Sequence, residues 1–349
     1  MYSINPLQDN RWPDAVEKRA GSSIFHTRGW LHALHLTYGY QPIAFSTSAP
    51  SAELTNCLLF CEIQNWIGGR RLVSLPFSDH CAPIMDRSRP ESSQELSHLL
   101  EEMREAVKQR RWKSIELRAA PPLESEAGSF QKTRSYRFHT LDLRPGVDEL
   151  FRRFHKNCVQ RKIQRAEREH LRYEAGRSPA LLKHFYALQL MTRRRQGLPP
   201  QPLSWFRRLV ECLDHRITIH IAYSGSVPVA GIVTLLHKDV LVYKYGASDY
   251  NFSKLGGTQL LFWKAIQDAK SRGLLEMDLG RSDLDDEGLI VFKERWGAAA
   301  STIDYWQCSR RPAEISRSNW ETRLVKPLFR HMPDGLLTTV GKVLYKYAG

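Results

Sequence analysis

Apolar side chains recur at helical spacing from Phe25 through Tyr38, and Gly39 ends the pattern, so the first clear element is an amphipathic helix. Two runs of strand character follow, about Pro42 to Ser48 and Asn56 to Asn65, then a turn at Gly68-Gly69 and the run Arg71 to His80. A second helix is predicted from about Ser92 to Arg110, with Leu96, Leu99, Leu100, Met103 and Val107 on one face, and a strand from Ser114 to Ala120.

Residues 147–173 read as one basic helical segment with a thin apolar side formed by Ile163, Ala166 and Leu171. It carries Arg152, Arg153, Lys156, Arg161, Lys162, Arg165, Arg168 and Arg172 against only Glu167 and Glu169 between Phe151 and Tyr173. Such a run is either a solvated helix face or a phosphate-binding surface using Lys156, Arg161 and Lys162. Helices are predicted from His184 to Gly197 and from Trp205 to Leu213, with Pro199 and Pro200 marking the loop between them. An antiparallel meander then runs through Ile217 to Tyr223, Val229 to His237 and Val240 to Ala247. A glycine-bearing loop, Gly246 to Gly257, leads into a helix through Trp263, Ile266 and Ala269 and a strand from Leu274 to Leu279. The helix-then-strand unit therefore occurs twice, a weak internal repeat of the kind two tandem halves leave.

A chain of 349 residues suggests two domains, and the pattern places them at 1–145 and 146–310, followed by an extension over 311–349. In that extension Trp320, Leu324, Val325, Leu328, Phe329, Leu336, Leu337, Val340, Val343, Leu344 and Tyr347 mix with Lys and Arg, and Pro327 and Pro333 interrupt it. A basic amphipathic tail of this sort is expected to pack back onto the protein with some contact to an anionic membrane surface. A hydrophobic content of 42% excludes disorder, and no run approaches eighteen apolar residues, so the protein is expected in the cytoplasm, peripheral to a membrane at most. Six scattered cysteines lack a Cys-x-x-Cys pair, and no Gly-x-Ser-x-Gly turn occurs, so neither disulfide, metal site nor hydrolase triad is expected. The net charge of +14 calls for an anionic partner: a CoA or nucleotide diphosphate, a sugar-nucleotide or lipid diphosphate, tRNA, or an anionic leaflet.

The chemistry concentrates in Gly273 to Ser282 and Gly288 to Gly297, which place Asp278, Arg281 and Lys293 close together. A lone lysine between Phe292 and Trp296 either snorkels to water or meets an anion such as the developing oxyanion of an acyl transfer. Asp278 could accept a proton from an attacking amine or cap a neighbouring element, and Arg281 could pair with it or clamp a phosphate. Tyr245 is a candidate proton donor to a leaving thiolate, and Asp79 and His80 are candidates to line an acceptor pocket or to form a structural turn.

The strand ending in Asp278-x-Gly280 followed by Phe292-Lys293-x-x-Trp296-Gly297 resembles the Fem-type members of the GNAT acyltransferase superfamily. These are non-ribosomal peptidyl transferases and their relatives in exopolysaccharide gene clusters, the FemAB-related or BioF2-like acetyltransferases. The resemblance extends from about Phe25 to Trp306 and includes Thr192 to Pro199, where Arg193 would face the cleft or cap its helix. It implies an α/β fold of two tandem GNAT-like domains with mixed, mostly antiparallel sheets flanked by helices. It implies an N-acyltransferase in which Lys293, Asp278 and Tyr245 are catalytic, and Arg281, Trp296, Asp79, His80, Lys156, Arg161 and Arg193 contact substrate. The donor phosphates would lie on Ser253, Lys254, Gly256, Gly257 and Thr258, matching the family pattern [RQ]-x-x-G-x-[GA] at Gly256 but departing from it at Ser253 and Thr258. The implied donor is acetyl-CoA or another acyl-CoA, and the acceptor a sugar or peptide precursor of the cell envelope, free or lipid-linked. The alternatives are aminoacyl-tRNA-dependent transfer, whose enzymes often carry a coiled-coil insertion not found here, and a non-catalytic basic scaffold at a membrane.

Overall fold

The computed structural model describes residues 1–65, 69–110, 112–119, 130–310, 327, 329–330 and 332–348. It divides into two compact units, one of Met1–Tyr136 with Thr302–Arg317 and Val343–Gly349, the other of Arg137–Ser301 with Ser318–Lys342.

The first unit contains β1 (Tyr2–Ile4), α1 (Trp12–Lys18), α2 (Arg28–Tyr38), β2 (Gln41–Ser46), β3 (Asn56–Asn65), β4 (Gly69–Val73), β5 (Ile84–Met85), α3 (Ser92–Gln109) and β6 (Ser114–Ala119). Thr27 caps α2 by accepting from the Trp30 N–H, and Gly39 ends it in the left-handed region, so the predicted stop signal acts as read while the helix starts at Arg28 rather than Phe25. The strands β1 to β4 pair antiparallel in sequence order, and α3 then crosses over to place β6 parallel to β4. One face of α3 packs Leu99, Leu100 and Met103 into a core with Phe60, Trp112 and Ile115.

The second unit begins inside strand β7 (Gln131–Asp142) and continues through α4 (Val147–Arg153), α5 (Arg161–Arg168), β8 (Arg172–Gly176), α6 (Pro179–Gln196) and α7 (Leu203–Leu213). Then come β9 (Ile217–Ser224), β10 (Val227–His237), β11 (Val240–Ser248), α8 (Gly257–Ser271), β12 (Glu276–Asp283) and α9 (Glu287–Glu294), while β13 (Ala299–Ser309) carries the chain back to the first unit. The predicted meander is present as β9, β10 and β11, extended by β8 on one side. Through the α8 crossover β12 joins parallel to β11, so the repeated helix-then-strand unit of the sequence corresponds to α3–β6 and α8–β12.

One expectation changes. The basic segment 147–173 is not one helix: α4 stops before Phe154, a π-helical turn fills Lys156–Gln160, and Arg172 and Tyr173 already belong to β8. The break follows from packing, because Phe154 turns inward against Trp263 and Trp296. Strands β7 and β13 carry no clear alternation in the sequence, and β7 buries only Tyr136, His139 and Leu141 among many polar residues. In the tail, residues 334–348 form a helix, α10 (Asp334–Ala348), whereas Trp320, Leu324, Val325 and Leu328 lie outside the described residues, as do Gly68 and Ala120. No helix among the described residues is long and apolar enough to cross a membrane.

A buried histidine in β9 gives this unit a pH-dependent stability. His220 is 3% exposed, with Tyr173 Oη 2.8 Å from Nδ1 and Thr234 Oγ1 2.9 Å from Nε2, an arrangement that a neutral imidazole satisfies with one donor and one acceptor. Burial pulls its pKa down to about 4. Above an unfolded-state value of about 6.5 both states are neutral; below it only the unfolded chain takes up the proton until the folded group titrates. Stability is therefore full above about pH 6.5 and falls by roughly 3 kcal/mol as pH drops toward 4. Urea melts from pH 7 to 4 should show that loss, and His220→Gln should be less stable at pH 7 but with a shallower acid slope. An unchanged slope would remove His220 as the cause.

Candidate functional site

The two parallel strands at the centre of the second unit part company. Pairing between β11 and β12 covers Val240, Leu241 and Val242 against Glu276, Met277 and Asp278, after which β11 runs on to Ser248 and β12 to Asp283 without mutual pairing. A bulge adds to this, since β10 pairs Val233 with Tyr245 but Thr234 with Tyr243, leaving Lys244 unopposed. Unpaired parallel strands in the middle of a sheet leave backbone groups open to a ligand lying between them.

Tyr245 stands on the diverging part of β11 and is 9% exposed. Its hydroxyl oxygen receives the Trp205 indole N–H at 2.8 Å and the Gln201 amide at 3.4 Å. Both partners donate, so the phenol's own proton is not spent on them. The sequence reading missed Gln201 and Trp205, which sit after the Pro199-Pro200 loop; only a buried Trp near a strand Tyr would have hinted at the pairing.

At the end of β11 a 3₁₀ stretch, Tyr250–Leu255, leads through Gly256 into α8. No side chain caps the start of α8, so the N–H groups of its first turn carry the positive end of the helix dipole without a side-chain acceptor. Gly256 has φ +80°, and a Cβ there would lie 2.2 Å from the Lys162 carbonyl oxygen of α5. The loop residues Ser253, Lys254, Gly256, Gly257 and Thr258 are thus brought together at one helix terminus resting on α5.

On β12, Asp278 is 3% exposed and its Oδ1 accepts the Gly280 N–H at 2.6 Å. Lys293 comes from α9, a short helix capped by Asp286, which accepts the Leu289 N–H. The ammonium is 2% exposed and donates to the carbonyl oxygens of Gly280 at 2.8 Å and Arg281 at 3.0 Å. The cation is therefore buried against β12 and does not snorkel to water. Beside it lies His139 of β7, fully buried, whose Nε2 is 3.9 Å from the Glu294 carboxylate. Burial first, and the Lys293 ammonium second, hold that imidazole below its ordinary value. Among the described residues neither of its ring nitrogens has a hydrogen-bond partner.

Trp296 is not at the cleft surface. It is fully buried, stacked on Phe262 at 5.1 Å and edge-on to Phe154 at 5.0 Å, so the Phe292/Trp296 spacing serves the core. Lys156 and Arg161 are exposed, and Arg161 lines an open depression with Gln164, Glu167, Arg168 and His170. Arg193 lies in the last turn of α6, before the left-handed Gly197, and reaches Gln196 at 3.4 Å.

Asp79 and His80 belong to the first unit. Their loop holds Leu75 at φ +63° and Phe77 at φ +62°, two strained side chains fixed by Arg118, whose Nη1 donates to the carbonyls of Leu75 and Ser78. The Asp79 carbonyl accepts the Tyr305 hydroxyl at 2.8 Å, and the His80 ring is edge-on to Phe25. Among the described residues no group of three His, Cys, Asp or Glu side chains is placed to share a metal ion.

The antiparallel strands, the bulge, the uncapped helix after the bulged strand and the parallel strand splayed from it all lie within residues 152–294, which match the acetyltransferase (GNAT) domain family. The chain shares its fold with FemX, at 15% identity and a TM-score of 0.67 over 87% of this chain and 97% of that one. It also shares it with the tandem GNAT protein of the clavulanic acid biosynthesis pathway, at 9% identity and a TM-score of 0.55 over 89% and 98%. The C-terminal domain of a putative lysylphosphatidylglycerol synthetase from Agrobacterium fabrum follows the same fold, at 11% identity and a TM-score of 0.58 over 89% and 94%. A search of curated proteins by sequence gives no match.

Proposed function

We propose that the protein transfers an acyl group from an acyl-CoA thioester to an amine on a sugar or peptide precursor of the cell envelope, in the manner of the FemAB-related, BioF2-like transferases. The observation that carries this reading is the parting of β11 and β12 after three residue pairs beside the uncapped start of α8. A thioester arm laid between the strands can bond to their open backbone groups, while its diphosphate meets the N–H groups at Gly256 to Thr258, where a helix terminus favours anions. The amine attacks the thioester carbonyl; charge on the resulting oxyanion is stabilised by the field of the Lys293 ammonium, and the excess proton passes to Asp278 directly or through water. Tyr245 returns a proton to the departing thiolate. Arg281 is assigned to acceptor recognition.

Aminoacyl-tRNA as donor is the second reading. It is favoured by Ser253 and Thr258, which depart from the CoA-loop pattern, and by the exposed Arg152, Arg153, Lys156, Arg161, Arg165 and Arg168 on and around α4 and α5. Thermal melts with acetyl-CoA, longer acyl-CoAs, desulfo-CoA and UDP-sugars separate the two. A ligand at a hundred times its Kd stabilises by about 2.7 kcal/mol, which is several degrees for a protein of this size. An upward shift with CoA compounds is expected. The absence of a shift with every CoA compound would discard the acyl-CoA donor and favour tRNA.

A further inference from the structure

Helix α10 turns an apolar stripe to solvent. Leu336 and Val343 are each 54% exposed and Leu344 45%, while Val340 and Tyr347 are half-buried. At about 100° per residue these five positions fall within one third of the helix circumference. Lys342 and Lys346, both exposed, lie along one border of the stripe, and the helix's sole acid, Asp334, is at its first position, ion-paired with Arg194.

This stripe is not a face still waiting to fold back. The inward side of α10 is already occupied: Leu337 is fully buried, and a Cβ at Gly341 would stand 2.1 Å from the Pro200 carbonyl oxygen. Contiguous large aliphatic groups left in water beside lysines, on a chain of net charge +14, mark a surface with a partner that is both apolar and anionic. A second copy of the chain would supply the apolar surface but would set more lysines against Lys342 and Lys346. A phospholipid surface supplies both chemistries: aliphatic side chains enter the boundary between headgroups and acyl chains, and the lysines extend to the phosphates.

We propose that α10 docks the protein on an anionic membrane surface through Leu336, Val340, Val343 and Leu344, with Lys342 and Lys346 on the headgroups. The helix rests on Pro200, in the segment that also delivers Gln201 and Trp205 to the Tyr245 hydroxyl, so the docked helix adjoins the support of the acyl-transfer cleft. The inference deepens the proposed function by favouring a lipid-linked acceptor, but it stands on the helix alone and is read by binding rather than by turnover.

The test is flotation of the full chain with vesicles of phosphatidylcholine alone and of phosphatidylcholine mixed equally with phosphatidylglycerol. The wild type should float with the anionic vesicles, lose binding as salt rises, and remain behind with neutral ones. Replacing both lysines, Lys342→Gln with Lys346→Gln, leaves the packed face untouched and should weaken binding roughly thirtyfold, two lysines at about 1 kcal/mol each. The triple change Leu336→Glu, Val343→Glu, Leu344→Glu should abolish flotation with an unchanged melting temperature. Wild-type protein that fails to bind anionic vesicles overturns the proposal, as does undiminished binding by the lysine variant. A dimer in sedimentation that the triple change dissociates assigns the stripe to a second copy and overturns it as well.

Discussion

Gly256→Ala is expected to lower the melting temperature by about 10 °C and to abolish donor binding. Two effects combine. Any side chain at φ +80° carries a left-handed strain of roughly 1–2 kcal/mol. The added Cβ would also stand 2.2 Å from the carbonyl oxygen of Lys162, which is backbone of α5 and cannot swing aside, so α5 or the loop must move. Together these come to about 3 kcal/mol or more. Gly225 isolates the steric part: it has φ +60° in the β9–β10 turn and open space around it, so Gly225→Ala suffers the strain without the clash. Calorimetric melts of both variants check the difference. Equal losses would mean that the loop does not bear on α5, and that the start of α8 is free to adapt to its ligand.

The same loop shows how far the sequence could be read. The meander, the glycine loop, the amphipathic helix and the following strand were legible because each has a strong period and a clear stop, such as Gly39, Gly197 or Gly256. Asp278, Gly280 and Lys293 were legible as a group because polar residues in apolar runs are costly to bury. What was not legible depends on contacts distant in the chain. That Gly256 is required by a carbonyl of α5 follows only once residues 162 and 256 are side by side. His139 lies in a strand too polar to be recognised, and its place beside Lys293 is created by sheet assembly. Phe154 broke the basic segment by turning into an aromatic core that no local pattern contained. Trp296 was misplaced for a related reason, since a helix that presents Lys293 to β12 also sends the aromatic residue three positions on into the core.

Lys293→Met is expected to reduce acyl transfer about 10²–10³-fold, the loss that follows removal of one oxyanion-directed donor, with little change in the donor's KM. The experiment must separate this proposed role from a structural one. The Lys293 ammonium joins α9 to β12 through the Gly280 and Arg281 carbonyls, so the methionine also removes two charge-assisted hydrogen bonds in a buried place and should cost about 2–4 kcal/mol of stability. The neighbouring His139, kept neutral, adds no second positive charge beside the ammonium near pH 7. Lys293→Arg restores a cation and hydrogen-bond donors in a different shape, and should recover much of the stability but little of the rate, because a planar fork does not reproduce a compact ammonium. The measurements are melting temperature and thiol release from acetyl-CoA with whichever acceptor an amine screen returns. Loss of rate in Lys293→Arg with stability regained assigns the ammonium to the transition state. Rate and stability falling and recovering together would make Lys293 a structural latch, and would leave the oxyanion to the backbone N–H groups that the separated strands expose.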